Sequence, residues 1–514
     1  MKMVKSLLLG SAAGIVAMSA AQAADLPVKA KAVEYVRICS LYGKGFFYLP
    51  GSNDMCLSIT GFMRFQVNMG DGFGGAASQS LTANLFSAPN GADIRSAGGT
   101  GLLQNNGVGF RIRTMITFDA RAQTAYGTLR AVSTVGYNND LNSAAGGSSI
   151  YANRGFIQLA GFTLGKAVSF FDFYSAPATA YHATATGDTG DGGWIVAGYT
   201  AQFGGGFSAT IAAEEPRRTQ MVSIIAGATA ATGAVLVTTT GGTTYTNNYV
   251  QQRAPDVVGN LRWDQAWGSI QVMGALHDAS GGYYQTPATG GLLQNNGHPG
   301  DEWGWAMGVG GRLRIGPHIL EAQFTYTVGA LRYLIHAQTA AGFYQFSTSD
   351  LGYGLFTDGV FSSGAAVPGG SSIELTTGWA VNVSYDHRWS PSLKTSIYGS
   401  YIAVEYSGVA NTALCTTGAA AGAANGVIAT STLASGVCNN DWQLWYIGSR
   451  TQWDVARGFY VGVDVLYQRL ETASGGATTL ATYNPGAPRA AGSYAISDQE
   501  SWSLVFRAHR DIIP

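Results

Sequence analysis

Charge is what this chain has least of. Only 11% of its 514 residues are Asp, Glu, Lys or Arg, against about 25% in ordinary soluble domains. The 29 basic and 30 acidic residues nearly cancel, so there is no basic footprint for nucleic acid. A long apolar run is missing as well. The best stretch, Met221 to Val237, is rich in Ala, Thr and Gly. It falls short of the roughly 20 strongly apolar residues of a spanning helix and reads as a loop with some strand character. The four cysteines include no CxxC pair and no Cys/His cluster of zinc spacing. A G-x-S-x-G elbow, an HExxH helix and a P-loop are all absent, and the histidines, among them His182, His277, His318 and His509, sit in unrelated contexts. Nothing here marks an enzyme, and no cofactor or metal is implied. What the chain does have is glycine, 71 residues, and 11% aromatics, a content that argues against disorder.

The N-terminus indicates the compartment. Lys2 and Lys5 precede an apolar stretch from Leu7 to Ala17, and Ala21-Gln22-Ala23 forms a small-residue cleavage site before Ala24. This is the pattern of a signal peptide over residues 1–23, removed on export through the Sec pathway. The cysteines fit export. Cys39 and Cys56 lie near the mature N-terminus, and Cys415 and Cys438 near the end. Four cysteines allow three pairings, and the shorter loop closures favour the two local ones. Two structural disulfides are therefore expected in an oxidising compartment.

The dominant signal in the mature chain has a period of two. Leu57, Ile59, Met63, Phe65 and Val67 alternate with Ser58, Thr60, Arg64, Gln66 and Asn68. The same alternation recurs from Phe110, from Trp303, from Leu320 and from Phe459, each a strand with one apolar and one polar face. Sixteen such strands are found, starting near residues 56, 108, 126, 151, 162, 194, 206, 255, 267, 303, 317, 374, 392, 440, 458 and 495. Their connections alternate between tight turns, as at Gly204-Gly205-Gly206 and Ser390-Pro391, and longer excursions. The fold expected is an all-β, transmembrane antiparallel barrel of 16 strands in the outer membrane, with short periplasmic turns and long extracellular loops. Closure leaves no unpaired strand edge in lipid. Trp194, Trp379, Trp389, Trp442, Trp453 and Trp502, near strand ends, are candidates for interface girdles. Residues 24–55 are expected as a periplasmic-side N-terminal segment and 56–514 as the barrel.

Four segments carry a resemblance: VEYVRICSLYGKGFFYLPGSNDMCLSITGFMRF (33–65), IQLAGFTLGKAVSFFDF (157–173), CNNDWQLWYIGSRTQWDV (438–455) and GFYVGVDVLYQRL (458–470). They are similar to the general-diffusion outer-membrane porins of alphaproteobacteria, the Rhizobiales type. That resemblance implies a sixteen-stranded barrel, a homotrimer, and a third external loop folded into the pore. The chain departs from such barrels at its end, where Ile512 stands in place of the usual terminal aromatic.

In a water-filled barrel, selectivity depends on charge at the narrowest point. The lumen-facing phase assigns Arg64, Arg111, Arg113, Arg130, Arg262, Arg312 and Arg314 to the inside. They could form one basic wall, or pair locally with Asp119, Asp264 or Glu321 and merely line a wide pore. The opposing acids are expected on a pore-constricting loop at about 174–193, where a Gly-Asp-Thr-Gly-Asp-Gly run carries Asp188 and Asp191, with Asp172 as a further member. A plain solvated turn and a calcium loop are the alternatives for that run, although EF-hand spacing is missing. Glu214-Glu215 and Arg217-Arg218 read as a solvated charge cluster entering a loop. The expected function is passive diffusion of small hydrophilic solutes and ions. A substrate-specific channel, or a surface adhesin or structural barrel, stands as the alternative. The expected partners are outer-membrane lipid and further copies of the chain.

Overall fold

The computed structural model describes residues 37–70, 107–140, 148–225, 244–247, 253–284, 295, 297–336, 342–344, 352–363, 370–416, 439–473, 476–480 and 492–513, except the single positions 53, 183 and 191. The expected signal peptide and Cys438 lie outside these residues, as does the side chain of Cys415, its expected partner.

Sixteen strands form the wall. The first eight are β1 (Met55–Gly70), β2 (Gly107–Thr124), β3 (Gly127–Asp140), β4 (Ser148–Leu159), β5 (Phe162–Ala167), β6 (Trp194–Gly204), β7 (Phe207–Glu214) and β8 (Asp256–Gln265). The second eight are β9 (Gly268–Asp278), β10 (Trp303–Ile315), β11 (His318–Val328), β12 (Thr377–Ser390), β13 (Leu393–Glu405), β14 (Trp442–Ala456), β15 (Phe459–Glu471) and β16 (Gln499–Ile513). Each pairs with its sequence neighbour, and β16 closes the ring on β1 from Gly61↔Ile513 to Gly70↔Ser503. Every strand of the wall therefore has a neighbour on both sides, the condition for spanning lipid with strands. The starts agree closely with the sequence reading. The largest offset is at β16, expected near 495 and observed at Gln499.

Turn chemistry sets the register. Two-residue connections join β2 to β3, β4 to β5, β6 to β7, β8 to β9, β10 to β11, β12 to β13 and β14 to β15. At Ala160-Gly161 both φ angles are positive, 50° and 91°. That matches a primed turn, whose twist suits a hairpin. The other rim carries all the long connections.

The wall is inverted relative to a soluble protein. Apolar side chains face outward and are exposed, as at Leu261 (65%), Ile211 (63%) and Met307 (57%), while Gln66, Asn68, Gln323, Asn382 and Asp464 are buried inside. Trp389, Trp453 and Trp502 point outward, as a girdle requires. Trp442 does not. It is 3% exposed, faces inward, and donates its indole N–H to Leu355 O at 2.8 Å. The rim position suited a girdle, but the alternation of β14 places 442 in the same phase as buried Leu444 and Tyr446.

Two loops add a small sheet of their own. Gln220–Ile225 pairs in parallel with Thr357–Ser362, flanked by Thr244–Asn247 and Glu374–Leu375. Val222, Ile224, Leu355, Phe356 and Val360 pack there with inward residues of β13–β15 such as Ile402, Leu444 and Leu470. The stretch from Met221 thus begins as a strand, and no helix among the described residues is long and apolar enough to cross a membrane.

The residues up to Leu57 form a compact unit by themselves. Cys39 and Cys56 are joined, with Cα atoms 6.1 Å apart, and pack with Phe46, Tyr42 and Tyr48. A Cys39→Ser, Cys56→Ser variant is expected to lose about 2–4 kcal/mol of stability, chiefly because the unfolded chain gains freedom. Urea unfolding of oxidised and reduced protein in detergent checks this. Equal midpoints would rule the bridge out as a stabilising element.

Candidate functional site

The connection from β5 to β6, residues 168–193, lies inside the barrel. Its first half packs Phe171 and Phe173 on Val258, Met273, Ala275 and Ala306, inward residues of β8, β9 and β10. Its second half packs Ala180 and Ala185 with Tyr398, Ile402, Leu444 and Tyr446 of β13 and β14. The chain therefore crosses the lumen from one wall to another. Glycines on the inner wall make room for it. A Cβ at Gly310 would come 2.4 Å from Phe173, and one at Gly462 would come 2.3 Å from the Tyr181 hydroxyl.

Polar ties fix this inward loop at both ends. At its root, Glu214 accepts Ser169 Oγ–H at 2.6 Å and Phe170 N–H at 2.8 Å. Arg217, fully buried, donates to Asp172 Oδ1 at 2.8 Å and to Gly187 O at 2.7 Å, and its guanidinium lies 4.5 Å from the Tyr333 ring centroid. Thr189 donates to the other Asp172 oxygen from its backbone N at 2.6 Å. The cluster read as a solvated face is instead the clamp of the loop. Arg217 is 0% and Glu214 1% exposed. A charge run resembles a wet surface in sequence because its partners, Asp172 and Tyr333, come from distant segments.

At the tip, Asp464 of β15 accepts the backbone N–H groups of Tyr181 at 2.5 Å and His182 at 3.3 Å, and the Tyr398 hydroxyl at 2.7 Å. The His182 ring lies 3.1 Å from Asp464 through Nδ1 and 3.0 Å from Ser503 Oγ through Nε2. Arg507 of β16 sits 4.0 Å from the Tyr181 ring centroid and donates to Tyr181 O at 3.1 Å. Arg450 donates to Ala178 O at 2.8 Å.

Between this loop and the wall of β1, β2 and β16 lies a cavity of about 330 Å³. Arg64, Gln66, Arg111, Arg113 and Arg507 line one side, with Tyr181, Thr186, Asp188 and Thr189 on the loop side. Three of the seven arginines assigned from phase are thus gathered opposite Asp188. Three others are paired locally. Arg130 is held by Asp119 at 2.9 Å, Arg262 by Asp264 at 2.8 Å and Arg312 by Glu321 at 2.6 Å. The seventh, Arg314, lines a separate cavity near the turn rim with Arg262 and Arg312. Among the acids, Asp172 is buried against Arg217 and is not part of the lining, and Asp191 lies outside the described residues. Sequence reasoning missed Arg507, Gln66 and Asp464 as site residues. The signal was present, since all three lie in the inward phase of their strands.

Asp188 hydrogen-bonds Thr186 and stands near Asp172 and Arg217. Burial first, and then the Asp172 charge, push its carboxyl up to about 7. A raised carboxyl is charged above that pH and neutral below it. Lowering the pH from 8 to 6 should therefore remove one negative charge facing the four arginines and move reversal potentials toward anions. His336, also on the lining, stays neutral in this range. Burial and then Arg217 and Arg332 push it down to about 2. The pH step should vanish in Asp188→Asn and fade at high salt, because the Debye length is about 10 Å at 0.1 M. A step of equal size in the variant would assign it to another group.

A family model described as "Porin subfamily" matches residues 25–504 of this chain. Porin Omp2b of Brucella melitensis biotype 1 is 33% identical over 286 residues, 52% of this chain and 64% of that protein. Porin Omp2b of Brucella canis is 32% identical over the same shares. The match therefore spans less than two thirds of the length of these curated relatives. Among solved structures, the outer membrane channel DcaP of Acinetobacter baumannii aligns with a TM-score of 0.52 at 13% identity, covering 90% of this chain and 99% of that one. At that identity the likeness is one of fold.

Proposed function

Because this chain belongs to the porin family, we propose that it forms a passive diffusion channel for small hydrophilic solutes and ions, a channel rather than an enzyme, in the bacterial outer membrane. One observation carries this: a loop held across the lumen by buried polar ties, leaving a charged, polar-lined cavity between itself and the wall. Solutes are sieved by the space the loop leaves, and ions are sorted by the field between wall arginines and loop carboxylate. The signal peptide is removed on export, the turn rim faces the periplasm and the loop rim the outside.

We read the assembly as a homotrimer. The wall is lowest at β5 and β7, with six and eight residues, below the 9–11 or so that a strand needs to cross alone. Neighbouring copies would shield that low stretch.

Planar bilayers and liposome swelling test the channel. Steady conductance in KCl is expected, with swelling in small sugars and none in oligosaccharides. Absence of any conductance would leave an adhesin or a structural barrel.

A further inference from the structure

We propose that the cavity between β1, β2, β16 and the inward loop is an oxyanion site that captures small dianions, phosphate or short dicarboxylates, in transit. This deepens the channel reading and rests on it.

Four guanidinium groups, Arg64, Arg111, Arg113 and Arg507, meet one carboxylate, Asp188, on the lining. What distinguishes two of these arginines, Arg113 and Arg507, from the others in the lumen is how they are held. Arg130, Arg262 and Arg312 are tied by carboxylates, which cancel their charge. Arg113 is tied by an amide oxygen, Asn138 Oδ1 at 2.8 Å. Arg507 is tied by a carbonyl and a tyrosine ring. Such ties orient a guanidinium without neutralising it. A planar fork fixed in this way loses little side-chain freedom when it meets a carboxylate or phosphate.

Strand register concentrates the charge. Across the β1–β16 seam Gln66 faces Arg507 and Arg64 faces His509, so Arg64 and Arg507 are diagonal neighbours on one face, within reach of each other's field. Like charges so placed repel, and an anion between them relieves the cost. Unused donors point the same way. Gln66 is 1% and Arg507 6% exposed, yet Gln66 Nε2 and Arg507 Nε have no hydrogen-bond acceptor among the described residues. Buried N–H groups seldom go without one, and an oxyanion supplies several. Charge-assisted contacts of this kind are about twice as strong as neutral ones. Asp188, on the loop side, keeps capture weak enough for release, as conduction requires.

The test uses the purified protein in planar bilayers, with KCl conductance as the baseline. Added potassium phosphate or potassium succinate should each reduce the KCl current in a saturable way at millimolar concentration, and glucose, a neutral solute of similar size, should not. The two anion arms separate the sources: saturable block by either supports the site and names its ligand. In the Arg113→Gln variant, the half-blocking concentration should rise about tenfold, with each block read against that variant's own KCl current. Gln66→Leu, which leaves every arginine in place, should also raise it. Normal KCl conductance with no block by either anion, or equal block by glucose, overturns the oxyanion site and leaves the channel standing. No KCl conductance at all counts against the channel itself.

Discussion

Replacing Arg217 with methionine should release the inward loop at its root and widen the channel. The side chain is fully buried, and its guanidinium joins Asp172 and Gly187 of the loop to the Tyr333 ring. Without it Asp172, 5% exposed as a side chain, would be a buried carboxylate without its cation. Removing one partner of a buried pair costs about 3–5 kcal/mol, more than the intact pair contributes. The strands hold one another through the closed ladder, so the loop is the part free to respond. Single-channel conductance in KCl should rise, and liposomes should admit sugars that the parent protein excludes. Arg217→Lys keeps the charge but loses the fork that reaches Asp172 and Gly187 together, and should lie between the two. In Arg217→Met with Asp172→Asn the orphaned charge is gone, and much of the stability should return in urea titrations while the pore stays wide. An unchanged sugar cutoff in Arg217→Met would show that the loop is held without this clamp.

The barrel was legible because lipid and water read alternate residues of the same strand. From Leu57 to Asn68 the apolar set faces outward and the polar set inward, and no tertiary partner is needed to see it. Turns were legible for a similar reason: a two-residue hairpin demands particular residues at particular φ angles. The loop sheet was not legible. The strand at 220–225 pairs in parallel with residues more than a hundred positions away, and nothing local encodes that. The role of the inner-wall glycines was hidden too, since Gly310 and Gly462 make sense only once Phe173 and Tyr181 lie over them.

The site was half legible. Phase puts all seven arginines on the polar face of their strands, yet phase cannot say which of them a carboxylate cancels. Arg130 meets Asp119 across the strand pair, with Arg121↔Arg130 and Asp119↔Val132 in register, whereas Arg113 meets Asn138. A single cross-strand neighbour decides between a neutralised arginine and a charged wall. Sequence groups Asp172, at the end of the fifth strand, with Asp188 of the following loop as pore acids. The fold buries the first against Arg217 and leaves the second on the cavity.

Asp464→Leu should free the other end of the loop. This carboxylate takes both backbone N–H groups at the tip, from Tyr181 and His182, together with the Tyr398 hydroxyl and the His182 ring. Leucine fills much of the space but accepts nothing, so three N–H or O–H donors lose their acceptor at about 1–3 kcal/mol each when they stay buried. The loop can instead lift the tip into water, which is the cheaper outcome and the one expected. Amide exchange of the peptide around Tyr181 should then accelerate by orders of magnitude in the variant, while exchange near Thr189, held by Asp172, stays slow. Asp464→Asn retains one acceptor oxygen and should show a smaller change. The two anchors share no residue, so the variants at 217 and 464 should add nearly independently in exchange and in conductance. Strong non-additivity would mean that the loop moves as one rigid body hinged at both ends. Slow exchange at Tyr181 in Asp464→Leu would show that the ties from Arg507, Arg450 and Ser503 hold the tip without this carboxylate.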